Sequence, residues 1–157
     1  MDRAIIEQLE PAVDRLKNAV VGLSRADLTA FPVPSTWSIQ QIVIHLADSD
    51  LMIADRIKRI LAEDRPLLMN ADESLWVKNL ACEEQSVEDA LLLMKVNRRQ
   101  LARILRKLPD AAFERAGVHS ARGVVTAGGF VEVLNKHLDH HLKFIVEKRK
   151  MLGKPLQ

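Results

Sequence analysis

Four long runs of this chain repeat apolar residues at intervals of three and four, the spacing that lines them up on one face of an α-helix. The first holds Ile5, Ile6, Leu9, Val13, Leu16, Val20 and Leu23, with Pro11 inside the pattern. Proline deletes a backbone hydrogen bond, so this helix either kinks at Pro11 or is preceded by a short separate piece. The second follows the segment FPVPSTWS, where Ser38 and Gln41 form an S-x-x-Q capping box, and keeps its stripe to about Glu63 before Arg65-Pro66 ends it. The third starts at a Ser86 cap and runs through Met94, Leu101 and Leu105 to Pro109. The fourth is capped near Thr126, carries Phe130, Leu134, Leu138, Leu142 and Ile145, and stops at Gly153 and Pro155 after Met151. Residues 66–85 are irregular, with a short extra helix expected from Asp72 to Leu80 that buries Leu75 and Trp76.

Four such helices in 157 residues predict one all-α domain spanning residues 1–157, a four-helix bundle whose connections are long enough to cross between neighbours. The absence of Tyr, with only two Trp and four Phe, leaves an aliphatic core and favours helix over sandwich. The 23 basic and 21 acidic residues, net +2, are interspersed along the chain. Nucleic-acid binding needs Lys and Arg concentrated against phosphates, so no nucleic-acid partner is expected. The runs Arg98-Arg99, Arg103, Arg106-Lys107 and Lys148-Arg149-Lys150 read as solvated helix faces and ends.

No stretch reaches the ~18 apolar residues of a membrane span, and the opening MDRAIIEQLEPAVDRL has no signal-peptide core. Cys82 is the only cysteine and cannot close an internal disulfide, which fits a reducing compartment, so the expected location is cytoplasmic. It has no neighbouring His or helix N-terminus to lower its pKa, and a nucleophilic role is not expected. AGG at 127–129 lacks the lysine and spacing of a phosphate loop, and no G-x-S-x-G elbow is present.

The chemistry concentrates in histidines. His137 and His141 are four apart on the fourth helix, ~40° apart in azimuth and one turn removed, so both imidazoles can reach one ion. A tetrahedral or five-coordinate ion needs at least one further protein donor, and His45, set in the apolar run VIHLADSD of the second helix, is the best candidate. His140 points ~100° away from His141 and reads as a neighbouring or surface residue, although a rotated helix would let it replace His137. Asp48, three after His45, is a candidate to orient an imidazole or act as general base. His119, in a glycine-flanked loop, is a second catalytic candidate that can also be explained as a turn residue.

The segments TWSIQQIVIHLADSD (Thr36–Asp50), GVHSARGVVT (Gly117–Thr126) and NKHLDHHLKFI (Asn135–Ile145) together resemble the DinB/YfiT-like superfamily, and the likeness extends over nearly the whole chain. That resemblance implies a four-helix bundle with a crossover and a metal-binding triad carried by His45, His137 and His141. It places His119 beside the cavity without making it a ligand. It implies zinc, nickel or a related divalent ion, with identity partly set by supply because imidazole sites follow the Irving–Williams order. Relatives of this kind include thiol-dependent S-transferases, a mycothiol-dependent isomerase and metal-dependent hydrolases. Two functional expectations follow. In the first, a metal-dependent enzyme activates a low-molecular-weight thiol or a water against a small electrophile, with transfer slightly preferred. In the second, a stress-related bundle uses the ion to staple two helices and acts through a partner without catalysis. A site that stays empty in cells is a third reading. A homodimer formed through an exposed helical stripe is left open.

Overall fold

Residues 2–156 are described in a computed structural model. Pro11 splits the first predicted helix: a single turn, α1 (Ala4–Glu7), precedes α2 (Leu9–Val20), with Gln8 at the joint. A short α3 (Arg25–Thr29), opened by a Ser24–Asp27 capping box, follows where no helical stripe is expected. The Ser38–Gln41 box then starts α4 (Ile39–Ala62): Ser38 Oγ accepts from Gln41 N at 3.1 Å, and Ser38 N donates to Gln41 Oε1 at 2.9 Å. Next come α5 (Glu73–Asn79), α6 (Val87–Arg106) and α7 (Ala127–Met151). Ser86 and Thr126 cap the last two by accepting from Asp89 N and Gly129 N. At the far end Gly153 takes φ +71° and its N–H donates to Lys150 O, which terminates α7.

Both α4 and α2 pack between α6 and α7, so α2 lies diagonally across the bundle from α4, and α6 from α7. Each diagonal pair is consecutive among the long helices, so the chain crosses the bundle end twice. The core divides into two apolar clusters. One gathers Leu16, Ile42, Leu46, Met94 and Leu138, and the other Leu9, Ile57, Leu101, Leu105 and Leu134. Between them runs a buried polar layer. Arg98, fully enclosed, donates through Nε to Asp50 Oδ1 at 2.8 Å and through its terminal nitrogens to Leu9 O, Leu134 O and Asn135 Oδ1. Asn97 adds a bond to Asp50 Oδ2, and Asn135 Nδ2 donates to Ile5 O. Arg98, Lys148 and Arg149 are buried, correcting the expectation that these basic runs only solvate helix faces. The Arg149 guanidinium donates to Ala19 O and Val21 O, satisfying carbonyls at the C-terminal end of α2.

The unanticipated element is a three-stranded sheet. Strand β1 (Leu67–Leu68) pairs parallel with β2 (Ala116–His119), which pairs antiparallel with β3 (Gly123–Thr126) in the register His119 to Gly123. Gly117 allows this packing, since a Cβ there would stand 3.0 Å from Pro66 O and 3.1 Å from Leu68 Cδ1. No helix among the described residues is long and apolar enough to cross a membrane.

Candidate metal centre

Three imidazoles meet between α4 and α7. His45 Nε2 stands 3.1 Å from His137 Nε2, which stands 3.1 Å from His141 Nε2, and the candidate donor atoms of all three lie within 4.8 Å of one another. The placement follows from the helices: His137 and His141 rise one turn apart on α7, while the Ser38 box fixes where α4 begins and hence which way His45 points. Burial pushes all three below the usual histidine range, His45 to about 3 and His137 and His141 to about 4, with the neighbouring histidines adding to the fall at His45 and His141. At neutral pH the trio is therefore uncharged.

Hydrogen bonding among the rings does not account for this packing. An imidazole nitrogen offers one in-plane hydrogen or one lone pair, so His137 Nε2 cannot serve both neighbours at once. A cation facing three lone pairs does so, and donors around a tetrahedral ion at ~2.0–2.1 Å are spaced by roughly 3.3 Å, close to the 3.1 Å that separates His137 Nε2 from each of its two neighbours. With Nε2 turned inward, each Nδ1 carries the hydrogen. His45 Nδ1 faces Ser49 Oγ at 3.5 Å, whereas His141 Nδ1 is buried without a partner among the described residues. The residues present therefore fit a divalent ion, and imidazole donors suit zinc, nickel, copper and iron alike.

The other sequence candidates are not among the three clustered donors. Asp48 faces a groove between α4 and α6 with Ile44, Gln85 and Asp89, and burial raises its carboxyl pKa. His119 is buried at the end of β2, where its Nδ1 accepts from Ala121 N at 3.2 Å and its ring lies 6.2 Å from Phe130, so it holds the β2–β3 turn. His140 is exposed and packs edge-on against Phe144. Cys82 is buried, and that burial pushes its thiol pKa up, as do the nearby charges of Asp48 and Glu83.

Two residues at the centre were missed from sequence. Trp37 packs on His45 with ring centroids 4.8 Å apart and stacks on His141 at 6.1 Å. Glu73, the first residue of α5, brings Oε2 to 3.7 Å from His45 Nε2, on the side where the three nitrogens converge. Burial raises its pKa, opposed by Arg122 and Arg56. The expected burial of Leu75 and Trp76 is corrected by the same helix: Val77 is the buried residue, and Leu75 is half exposed. Only one face of α5 meets α4, and Glu73 shares that face with Val77 four residues on. Burying Val77 thus turns Glu73 toward His45.

The chain is similar to several known proteins. A protein of Oceanobacillus iheyensis named "Putative metal-dependent hydrolase OB0782" is 29% identical over 147 residues, covering 92% of this chain and 85% of its own. The "Putative metal-dependent hydrolase YfiT" of Bacillus subtilis is 27% identical, with 94% and 84% covered. The solved structure of YfiT from Bacillus subtilis, described as "a probable metal-dependent hydrolase with an unusual four-helix bundle topology", superposes with a TM-score of 0.90 at 26% identity, covering 96% of this chain and 86% of that one. The two diagonal crossings described above are the topology that the chains share. The family model of the DinB superfamily matches residues 8–145, and the chain belongs to that superfamily.

Proposed function

We propose that His45, His137 and His141 hold a divalent ion, zinc or nickel, and that the protein is a hydrolase acting on a small electrophilic substrate. The convergence of three uncharged ring nitrogens on one point carries this reading. Bound there, the ion supplies Lewis acidity to a water or thiol in its remaining coordination position. Glu73 is the carboxylate placed to take the proton from the attacking water and return it to the leaving group, since its oxygen faces the same space and burial raises its pKa. Ser49 holds His45 in the tautomer that presents Nε2, and Trp37 shields the centre from bulk solvent. The names of the relatives support hydrolysis over the thiol transfer that the sequence resemblance favoured.

The test is elemental analysis of protein purified without added metal, paired with turnover of a panel of activated esters and of an electrophile offered with a small thiol. One ion per chain, lost in His45→Ala and His141→Ala, with ester turnover abolished by chelator, is the expected result. Unchanged metal content in both variants removes the ligand assignment. Turnover that requires the thiol replaces hydrolysis by transfer.

A further inference from the structure

Beside the three histidines opens a cavity of about 360 Å³ walled by Val33, Trp37, Ile42 and Phe144, with His141 and Lys148 also facing it. Seven residues separate His141 from Lys148 on α7, two turns less about 20°, so both side chains leave the same face some ~10.5 Å apart along the axis. Lys148 is only 3% exposed. Its Nζ donates to the Thr36 hydroxyl, and among the described residues it makes no ion pair. An ammonium has three donors, and burying one without an anion is costly unless something else supplies the charge. That burial also lowers the Lys148 pKa, against the opposing effect of Glu147.

We infer that Lys148 and Thr36 form an anion-recognising end of this cavity, and that the substrate is a small amphiphilic monocarboxylate whose reactive bond lies toward the histidine end. The placement of the reactive end rests on the three-histidine reading above; the carboxylate end does not. The apolar walls take the body of the molecule, with Trp37 and Phe144 offering ring faces. A monoanion is specified because Glu147 also faces the cavity and repels the second charge of a phosphate monoester.

The test is equilibrium binding of 4-phenylbutyrate and of its neutral counterpart 4-phenylbutan-1-ol, followed by Trp37 fluorescence in a Trp76→Phe chain. The carboxylate is expected to bind at least ~10-fold more tightly than the alcohol, as a charge-assisted hydrogen bond at a buried site provides. Lys148→Met is expected to bring that preference below ~2-fold without weakening the alcohol. Thr36→Val, at an exposed position that does not endanger folding, is expected to reduce it by about threefold. Chelator-stripped protein is expected to keep it. Equal affinities in the unsubstituted cavity overturn the inference, as does a preference that survives Lys148→Met. A preference that disappears on chelation shows the carboxylate bound at the histidine centre and overturns it too. Tighter binding of 3-phenylpropyl phosphate than of the carboxylate overturns the choice of a monoanion. If the protein proves to hold no metal while the Lys148-dependent preference remains, the hydrolase reading falls and the recognition site stands. The opposite pattern sinks the recognition site alone.

Discussion

Asp50 and Arg98 illustrate what a buried charge demands of its neighbours. Every donor of the guanidinium that reaches the core has an acceptor on α2, α4 or α7, so removing one partner leaves the other desolvated and uncompensated. Asp50→Ala is expected to cost about 3–5 kcal/mol, read as a lowered urea midpoint at unchanged m-value, whereas Arg98→Met paired with Asp50→Leu is expected to recover most of the loss. Equal destabilisation by the single and double changes would deny the ion pair its role. At the centre itself, Glu73→Gln is expected to lower kcat by about 10²–10⁴-fold with metal content unchanged, and loss of the ion in that variant would make Glu73 a ligand instead of a base. The histidines were legible because an i, i+4 pair and a His within an apolar run are direct geometric signals. The buried cations were legible in principle, since Arg98 falls in the stripe of Met94, Leu101 and Leu105, and Asp50 in that of Leu46, Ile53 and Ile57. Opposite charges in two facing stripes are the signature of such a pair, but a local pattern does not reveal that the stripes face. Glu73 carried no signal of its own, because its direction is set by the burial of Val77.

Among elements, α4 carries the greatest functional weight, because it presents His45 seven residues past its cap. Ser38→Ala removes the bond that Ser38 Oγ accepts from Gln41 N, leaving the one from the Ser38 backbone N–H to Gln41 Oε1, and is expected to cost about 1 kcal/mol, measured by urea unfolding. The long helices were readable because their caps and stripes agree, with Ser38, Ser86 and Thr126 all serving as N-caps. The sheet was not, because strands of two and four residues are too short for alternation to register, and β1 pairs with β2 residues 51 positions away. Gly117 marks that pairing. Gly117→Ala forces its methyl against the Pro66 carbonyl, a backbone atom that yields little, so a lower melting temperature than the parent's is expected, and no change would mean that β1 shifts freely.

At the scale of the molecule, the diagonal crossings bring α4 and α7 side by side although ninety-two residues separate His45 from His137. The histidine centre therefore couples the protonation of the chain to its folding. In the unfolded chain these histidines titrate near 6.5, whereas in the folded metal-free protein they hold no proton until about 3 to 4, and His119 is displaced the same way by burial and by Arg56 and Arg122. Between those limits the unfolded state binds more protons, so stability rises with pH, is complete above about pH 7.5, and is lost as pH falls through 6.5. A urea midpoint measured with chelator is accordingly expected to drop between pH 7.5 and pH 5.5, a window above the ordinary range of carboxylates. His137→Gln should flatten the slope by removing one of the protons exchanged. A bound ion raises the whole curve, because it engages only the folded arrangement and each factor of ten in free metal above Kd adds about 1.4 kcal/mol. Since protons compete for the same ring nitrogens, that increment shrinks over the acid side of the same window, and metal-loaded protein is expected to lose stability more steeply than stripped protein below pH 6.5. Parallel curves with and without metal would place the ion somewhere other than on these three imidazoles.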